Sequence, residues 1–456
     1  MDILIKNGRI INAHSDFKGD VLVRNGKIAA VGQKLDSKSA DKVIDASSLL
    51  VLPGAIDAHT HLEMKMGKTY SADGYESGTR AAACGGVTTV FDYTLQENGK
   101  PMLEEIADRD KLAAGKACVD YAFHGGISEV NDARLNEVYD MVKQGFPSIK
   151  AYMTYAFGLD DIALYRLLCT SADAKALITV HAESHGIVEA NRAEFKKEGL
   201  TDVWYHYLSR PEIAEEEADI RAIKLAEAAG APLYIVHLGN EAGERYLAKA
   251  RAEGLPIYAE TCPHYLAFTN EVYKRPDGIR FICSPPMKGI ESQIALWEGV
   301  SRGVIDTIAT DHCPAQSFEK DWGLKDYTLA PCGCMGIENM YPYMLNAAGK
   351  GMISYERAVE VCSANPAKLF GCDTKGAIEP GRDADIVLYD PKKEFTISVD
   401  NMHSNIDYTI YEGMKLKGYP VMTMSRGMIV YEDGVFKGEA GYGKLLRRKI
   451  SSAYNY

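Results

Sequence analysis

The sequence predicts an α/β protein: a TIM-type (β/α)8 barrel with a small β-sandwich domain formed by both chain termini. Three observations carry that reading. The middle of the chain alternates short apolar runs with helical stretches, eight times over. Both ends are rich in hairpin signals instead. The polar residues of chemical interest in the middle fall near the C-terminal ends of its apolar runs. The expected boundaries are 1–53 for the first part of the sandwich, 54–371 for the barrel, and 372–456 for the second part and a tail.

At the N-terminus, Ile3–Lys6 leads through Asn7-Gly8 into Arg9–Ile11, and Val21–Arg24 leads through Asn25-Gly26 into Lys27–Val31. Asn-Gly between apolar strands reads as a tight hairpin, because a type I′ turn needs positive φ at both central residues. The texture returns late in the chain. Ala384–Tyr389 reads as a strand, Val421–Met424 and Met428–Tyr431 flank Arg426-Gly427, and Glu432-Asp433-Gly434 is another turn. Chain termini of a domain often lie close together, so the two ends are expected to build one sandwich rather than two caps.

The eight strand candidates are Ala55–Asp57, Val87–Phe91, Val119–Phe123, Ser148–Tyr152, Leu177–Val180, Leu233–Val236, Ile257–Glu260 and Thr307–Thr310. Helical stretches lie between most of them, such as the one from Leu103 and the Ala- and Glu-rich run Glu215–Ala229. Repeated β-then-α units argue a parallel sheet, and eight of them argue closure into a barrel. An open doubly wound sheet would announce itself with a Gly-rich phosphate loop after the first strand. Here that junction reads His59-Thr60-His61.

Composition narrows the function classes. The chain has 456 residues, with 51 basic against 63 acidic side chains, a formal net charge of −12. That balance disfavours nucleic acid as a partner, since phosphate binding needs a basic footprint. No apolar run approaches the ~20 residues that span a bilayer. The N-terminus lacks the basic-then-apolar pattern of a signal peptide. Ten cysteines are scattered from Cys84 to Cys372, and only Cys332 and Cys334 lie close together. They read as reduced thiols of a cytoplasmic protein, and C-x-C is not a zinc-knuckle spacing.

His59 and His61 share one face of a strand, because residues i and i+2 point the same way. Paired imidazoles of this kind suit a zinc-type ion. Further polar groups end other strands: Lys150 in the fourth, His181 after the fifth, His237 after the sixth, Asp311 after the eighth. Catalytic residues of such barrels gather at the C-terminal ends of several strands. Lys150 is the odd member, since an ammonium cannot bind a cation. Burial depresses a lysine's pKa and frees the neutral amine. The amine can add carbon dioxide to give a carbamate, whose two oxygens can bridge two metals.

The order His-x-His, Lys, His, His, Asp resembles the cyclic amidohydrolases of the amidohydrolase superfamily. Local strings sharpen the likeness to the hydantoinase/dihydropyrimidinase branch: Pro53-Gly54-Ala55-Ile56-Asp57-Ala58-His59-Thr60-His61, Ala83-Cys84-Gly85-Gly86-Val87-Thr88-Thr89, Cys283-Ser284-Pro285-Pro286, Ala309-Thr310-Asp311-His312-Cys313 and Asn365-Pro366-Ala367-Lys368-Leu369-Phe370-Gly371. The resemblance runs to about residue 440. It implies that His59, His61 and Asp311 bind one divalent metal, that His181 and His237 bind a second, and that Lys150 bridges them as N6-carboxylysine. Zinc is the default metal. It implies that Tyr155 donates to the substrate carbonyl and Ser284 holds the ring amide. Cys332 stands where the family usually has Asn, a position that works largely through its main chain. It also implies a homotetramer.

The implied reaction is ring opening of 5-substituted hydantoins or dihydropyrimidines to N-carbamoyl amino acids. Two metals share a hydroxide nucleophilic at neutral pH, a metal and Tyr155 stabilise the oxyanion, and Asp311 serves as base and then acid. Leu62, Met64, Tyr93, Tyr152 and Phe157 are the expected lining for the ring substituent, since loops after barrel strands set substrate choice. Allantoinase and dihydroorotase are the alternatives within the superfamily. Dihydroorotases typically carry Arg two residues after the second His, and this chain has Glu63. A non-catalytic hydantoinase-like adaptor is the alternative of another class, and such relatives lack the ligands.

Overall fold

The computed structural model describes residues 2–97 and 99–454. Eight parallel strands occupy Ala55–Thr60, Val87–Tyr93, Asp120–Gly126, Ser148–Tyr152, Leu177–His181, Leu233–Ile235, Ile257–Thr261 and Thr307–Ile308, each paired with the next in sequence. The ring closes where Thr60 bridges His312 and the His61 N–H donates to the His312 carbonyl at 3.0 Å. The eight expected strands are therefore the eight observed. Their apolar runs are continuous because both faces are covered, helices outside and lumen inside.

The two faces carry separate packing. Outward residues such as Val90, Ile149 and Ile178 join the main core with the helices. The lumen holds Ile56, Phe91, Tyr93, Tyr234, Val236 and Phe370. His124 sits within this fill: it contacts Ser148 Oγ at 2.6 Å and the Ala58 carbonyl at 3.1 Å, and stacks on Tyr93. The floor below is closed by the end of the chain. Arg448 donates to the Phe123 carbonyl at 2.6 Å and to Ser148 Oγ at 2.7 Å.

Both termini enter one nine-stranded sheet. Leu50–Pro53 pairs antiparallel with Ile386–Tyr389, which joins the two ends of the chain. One core, from Ile3, Ile5 and Val21 to Ile386, Leu388 and Met424, spans them. The two-cap alternative is thereby excluded. Asn25-Gly26 and Arg426-Gly427 turn as expected, with φ of 49° and 74°, and 42° and 81°.

Asn7-Gly8 does not form the expected hairpin. Ile3–Asn12 is a single strand, and its register against Ser15–Arg24 shifts between Ile5 and Gly8. Asn7 takes φ 62° as a bulge, and its N–H donates to Asp20 Oδ1 at 2.8 Å. The glycine is needed for close approach: a Cβ there would lie 2.3 Å from Val51. A bulge and a tight turn draw on the same residue types, so the dipeptide alone does not separate them.

Among the described residues, no helix is long and apolar enough to cross a membrane.

Candidate active site

Strand ends bring the expected ligands together. His59 and His61 leave the first barrel strand with their Nε2 atoms 3.2 Å apart. Asp311 Oδ1 stands 3.1 Å from one and 3.0 Å from the other. His237 tilts against His59 at 5.5 Å between ring centres and against His181 at 4.5 Å. Lys150 is buried, with its Nζ 4.5 Å from the Tyr93 ring and 5.3 Å from the Tyr152 ring. Tyr155, His237 and Asp311 have φ of 71°, 40° and 50°. Left-handed backbone is uncommon for non-glycine residues and clusters at functional sites.

Two carboxylates behind the histidines aim their lone pairs. His59 Nδ1 contacts Glu260 Oε1. Glu260 also accepts from the His237 N–H at 3.1 Å and the Tyr234 hydroxyl at 2.7 Å. His181 Nε2 lies 2.7 Å from Glu183 Oε2, which Arg210 also holds. A carboxylate on one ring nitrogen fixes the proton there and leaves the other nitrogen free as a metal ligand. Neither Glu260 nor Glu183 stands out in the sequence beyond being an acid at an apolar strand's end. Arg210, just past the helix Trp204–Ser209, leaves no local signal at all.

The donor set fits a cation. His59, His61 and Asp311 present ligand atoms within 4.8 Å of one another. Burial opposes a charge on His59, but Glu260 on Nδ1 and Asp311 beside Nε2 outweigh it and raise its pKa, so the ring stands between two carboxylates. Burial pushes the Asp311 carboxyl up, but the two imidazoles outweigh it and hold it well below the usual range. Burial first, with the nearby Lys150 charge adding to it, lowers His61, His181 and His237. Burial also brings Lys150 down to about 8, the direction that frees an amine.

Above them opens a cavity of about 670 Å³. Met64, Tyr152 and Phe157 line it, as expected. Leu62 and Tyr93 do not. Leu62 is buried against Gly78, where a Cβ would lie 2.4 Å from it. Tyr93 lies beneath the imidazoles, its ring 4.5 Å from His59. Strand alternation sends it into the lumen, and the outward turn at Leu62 sends that side chain to the helix. Leu95, Trp322 and Leu329 join the lining instead. Ser284 meets Tyr155 through a hydrogen bond and Cys332 Sγ at 3.0 Å, so the three expected substrate-binding groups converge at one wall. Burial pushes the Tyr155 hydroxyl far above the ordinary phenol range, and it keeps its proton. Glu63 points away from the cavity, to Lys116 at 3.0 Å.

The amidohydrolase family model matches residues 50–430. A D-phenylhydantoinase of Escherichia coli O1:K1 / APEC is 42% identical over 456 residues, covering 98% of each chain. The crystal structure of a dihydropyrimidinase from Brevibacillus agri NCHU1002 superposes with a TM-score of 0.97 at 38% identity, over 99% of this chain and 100% of that one. An L-hydantoinase (dihydropyrimidinase) from Arthrobacter aurescens gives 0.91 at 32% identity, over 98% and 100%. On its fold, its converging ligands and these matches, the chain belongs to the amidohydrolase family.

Proposed function

We propose that this chain opens the ring of 5-substituted hydantoins or dihydropyrimidines by hydrolysing a cyclic amide C–N bond, yielding N-carbamoyl amino acids. The observation that carries the reading is the convergence of His59, His61 and Asp311 at the base of a largely apolar cavity. Relatives named as hydantoinases and dihydropyrimidinases, matching over nearly the full chain, support it.

His59, His61 and Asp311 would hold one divalent ion and His181 and His237 another, with zinc the expected metal. Lys150 would bridge them as a carbamate, its neutral amine forming a C–N bond to carbon dioxide with loss of one proton. When bound, the ions supply hydroxide at neutral pH and polarise the ring carbonyl. Asp311 takes the proton of the attacking oxygen and delivers it to the leaving ring nitrogen. The Tyr155 O–H hydrogen-bonds to the carbonyl oxygen as negative charge develops there and keeps its proton. Ser284 holds the ring amide, and Cys332 supports it from the same wall. Met64, Tyr152 and Phe157 receive the substituent and keep water from the ring.

The test is a hydrolysis panel of hydantoin, dihydrouracil, 5-phenylhydantoin, allantoin and dihydroorotate with the metal-loaded protein. Turnover of 5-phenylhydantoin or dihydrouracil is expected. Turnover confined to allantoin or dihydroorotate overturns the substrate class, and none on any member favours the adaptor. A homotetramer, cytoplasmic location and absence of nucleic-acid or membrane partners complete the reading. Light scattering of the purified protein checks the first.

A further inference from the structure

A second group of metal-ligating side chains lies outside the hydrolytic site. The helix Tyr75–Cys84 ends on a thiol. The next residue, Gly85, packs so tightly on the other wall that a Cβ would lie 2.3 Å from the Glu338 carbonyl. That contact presses Cys84 against Glu338, just ahead of the helix Met340–Gly349. His403 completes the group from the loop that follows Val399–Asn401. Cys84 Sγ, a Glu338 carboxylate oxygen and an imidazole nitrogen of His403 lie within 4.8 Å of one another.

Burial and charge make the group unusual. Cys84 and Glu338 are 0% and 2% exposed, and the His403 side chain is 24% exposed. Glu338 Oε1 lies 2.7 Å from His403 Nδ1, and Oε2 accepts the His403 N–H at 2.7 Å. Among the described residues, His403 is the one ion-pair partner of this buried carboxylate. Burial first, and Glu338 next, push the Cys84 thiol up, so it stays protonated unless a cation takes the proton's place. The set therefore gathers three donors of different chemistry from three separate segments, with an open side at His403 for an ion to enter.

We propose that Cys84, Glu338 and His403 form an additional metal centre that binds one zinc ion as a structural clamp. Zn²⁺ takes thiolate, imidazole and carboxylate donors at tetrahedral positions, and three protein ligands leave the fourth to water, an open arrangement rather than the closed four-ligand set of most structural sites. Binding expels the Cys84 thiol proton and displaces the proton held between His403 Nδ1 and Glu338 Oε1. No electron transfer is involved. The clamp ties the barrel's first helix to the loop carrying His403. Two residues on, the Asn405 N–H donates to Asp73 Oδ1 at 2.8 Å, and Asp73 Oδ2 meets His312 Nε2 at 2.9 Å. The ion would thus steady the support of the segment that presents Asp311.

None of the six candidate ligands of the hydrolytic site is a thiol, so the two centres can be read separately. The full-length protein is loaded with Co²⁺ and, in parallel, with Zn²⁺. The expected result is a thiolate-to-cobalt charge-transfer band in the near ultraviolet and a third equivalent of metal by elemental analysis. Cys84→Ser should lose the band and that one equivalent, keeping the other two and ring-opening activity. His403→Asn, at a partly exposed position, should lose the same equivalent, and it decides the matter if Cys84→Ser does not fold. A wild-type protein with no thiolate band overturns the proposal, as does a band or third equivalent that persists in either variant. Wild-type protein that binds the third equivalent but opens none of the rings in the panel would count against the hydrolytic reading instead.

Discussion

Two buried lysines sit at opposite ends of the barrel, and their surroundings differ. Lys375, below the floor, is 2% exposed and meets Asp120 at 2.6 Å, Asp385 at 2.7 Å and Asp383 at 3.3 Å. Burial opposes its charge, but the carboxylates outweigh burial and raise its pKa. Lys150, at the top, is 1% exposed and has no ion pair among the described residues; burial dominates and brings it down to about 8. The same side chain is a compensated charge in one place and a latent amine in the other. Removing a partner from a buried ion pair is costly because it leaves an unpaired charge. Burial alone does not tell the two apart; the carboxylates around Lys375 and their absence as ion-pair partners of Lys150 among the described residues do.

Substitution at each end sharpens the contrast. The largest effect is expected at the top: Lys150→Ala should lose bound metal and activity together while folding normally, with partial rescue by short carboxylic acids. Full metal content in that variant would break the comparison. Asp311→Asn comes next. Loss of acid–base catalysis alone costs ~10²–10⁴-fold in kcat, and near-normal turnover would remove Asp311 from its role.

At the floor, Lys375→Met should act on stability by about 3–5 kcal/mol, through the three carboxylates left behind. Chemical denaturation measures this, and kcat of the folded fraction should stay within a few-fold. The pH dependence should separate the lysines too. Lys375, with its pKa raised, contributes stability that is complete below the unfolded lysine value and is lost only in strong alkali. Lys150, with its pKa lowered, carries a penalty in the metal-free protein that is complete below about pH 8 and fades as pH rises from there toward the unfolded value. Carbamate formation by the metal-free protein in bicarbonate should rise with pH up to about 8, where the neutral amine takes over, and level off above it. The smallest effect concerns specificity. Phe157→Ala should shift the kcat/KM ratio for phenylhydantoin over dihydrouracil by about 10–200-fold, since one or two apolar contacts are worth ~1–3 kcal/mol. Leu62→Ala should lower both substrates alike, because that side chain packs on Gly78 and not on the cavity.

The barrel strands and the six expected ligands were legible in the sequence because both are local signals. An apolar run shows where a strand ends, and in this fold the end of a strand is the top of the barrel. What needed the structure is the set of contacts between distant segments. Glu260 behind His59 joins residues 201 positions apart, and Arg210 behind Glu183 joins residues 27 apart. Cys84 was read as one of several buried thiols, since nothing near it in sequence announces Glu338 or His403. Tyr93 and Leu62 were misplaced because a strand-end residue points either into the lumen, toward a helix or over the mouth, and the choice depends on the packing around it. Asn7-Gly8 misled for a similar reason: its close neighbour Val51 lies on another strand.

The floor of the barrel has a consequence for how the protein is made. Arg448 donates to Phe123 and Ser148, and Leu446 donates its N–H to the Tyr121 carbonyl, so residues near the end of the chain cap strands made more than 300 residues earlier. Leu50–Pro53 likewise waits for Ile386–Tyr389. Pairings at such separation are slow to form, and chains emerge from the ribosome at about 5–20 residues per second. The barrel strands are thus exposed to solvent and to other nascent chains for tens of seconds with their floor missing. A chain released before Arg448 is added would keep every ligand of the hydrolytic site yet lack the residue that closes the barrel beneath it.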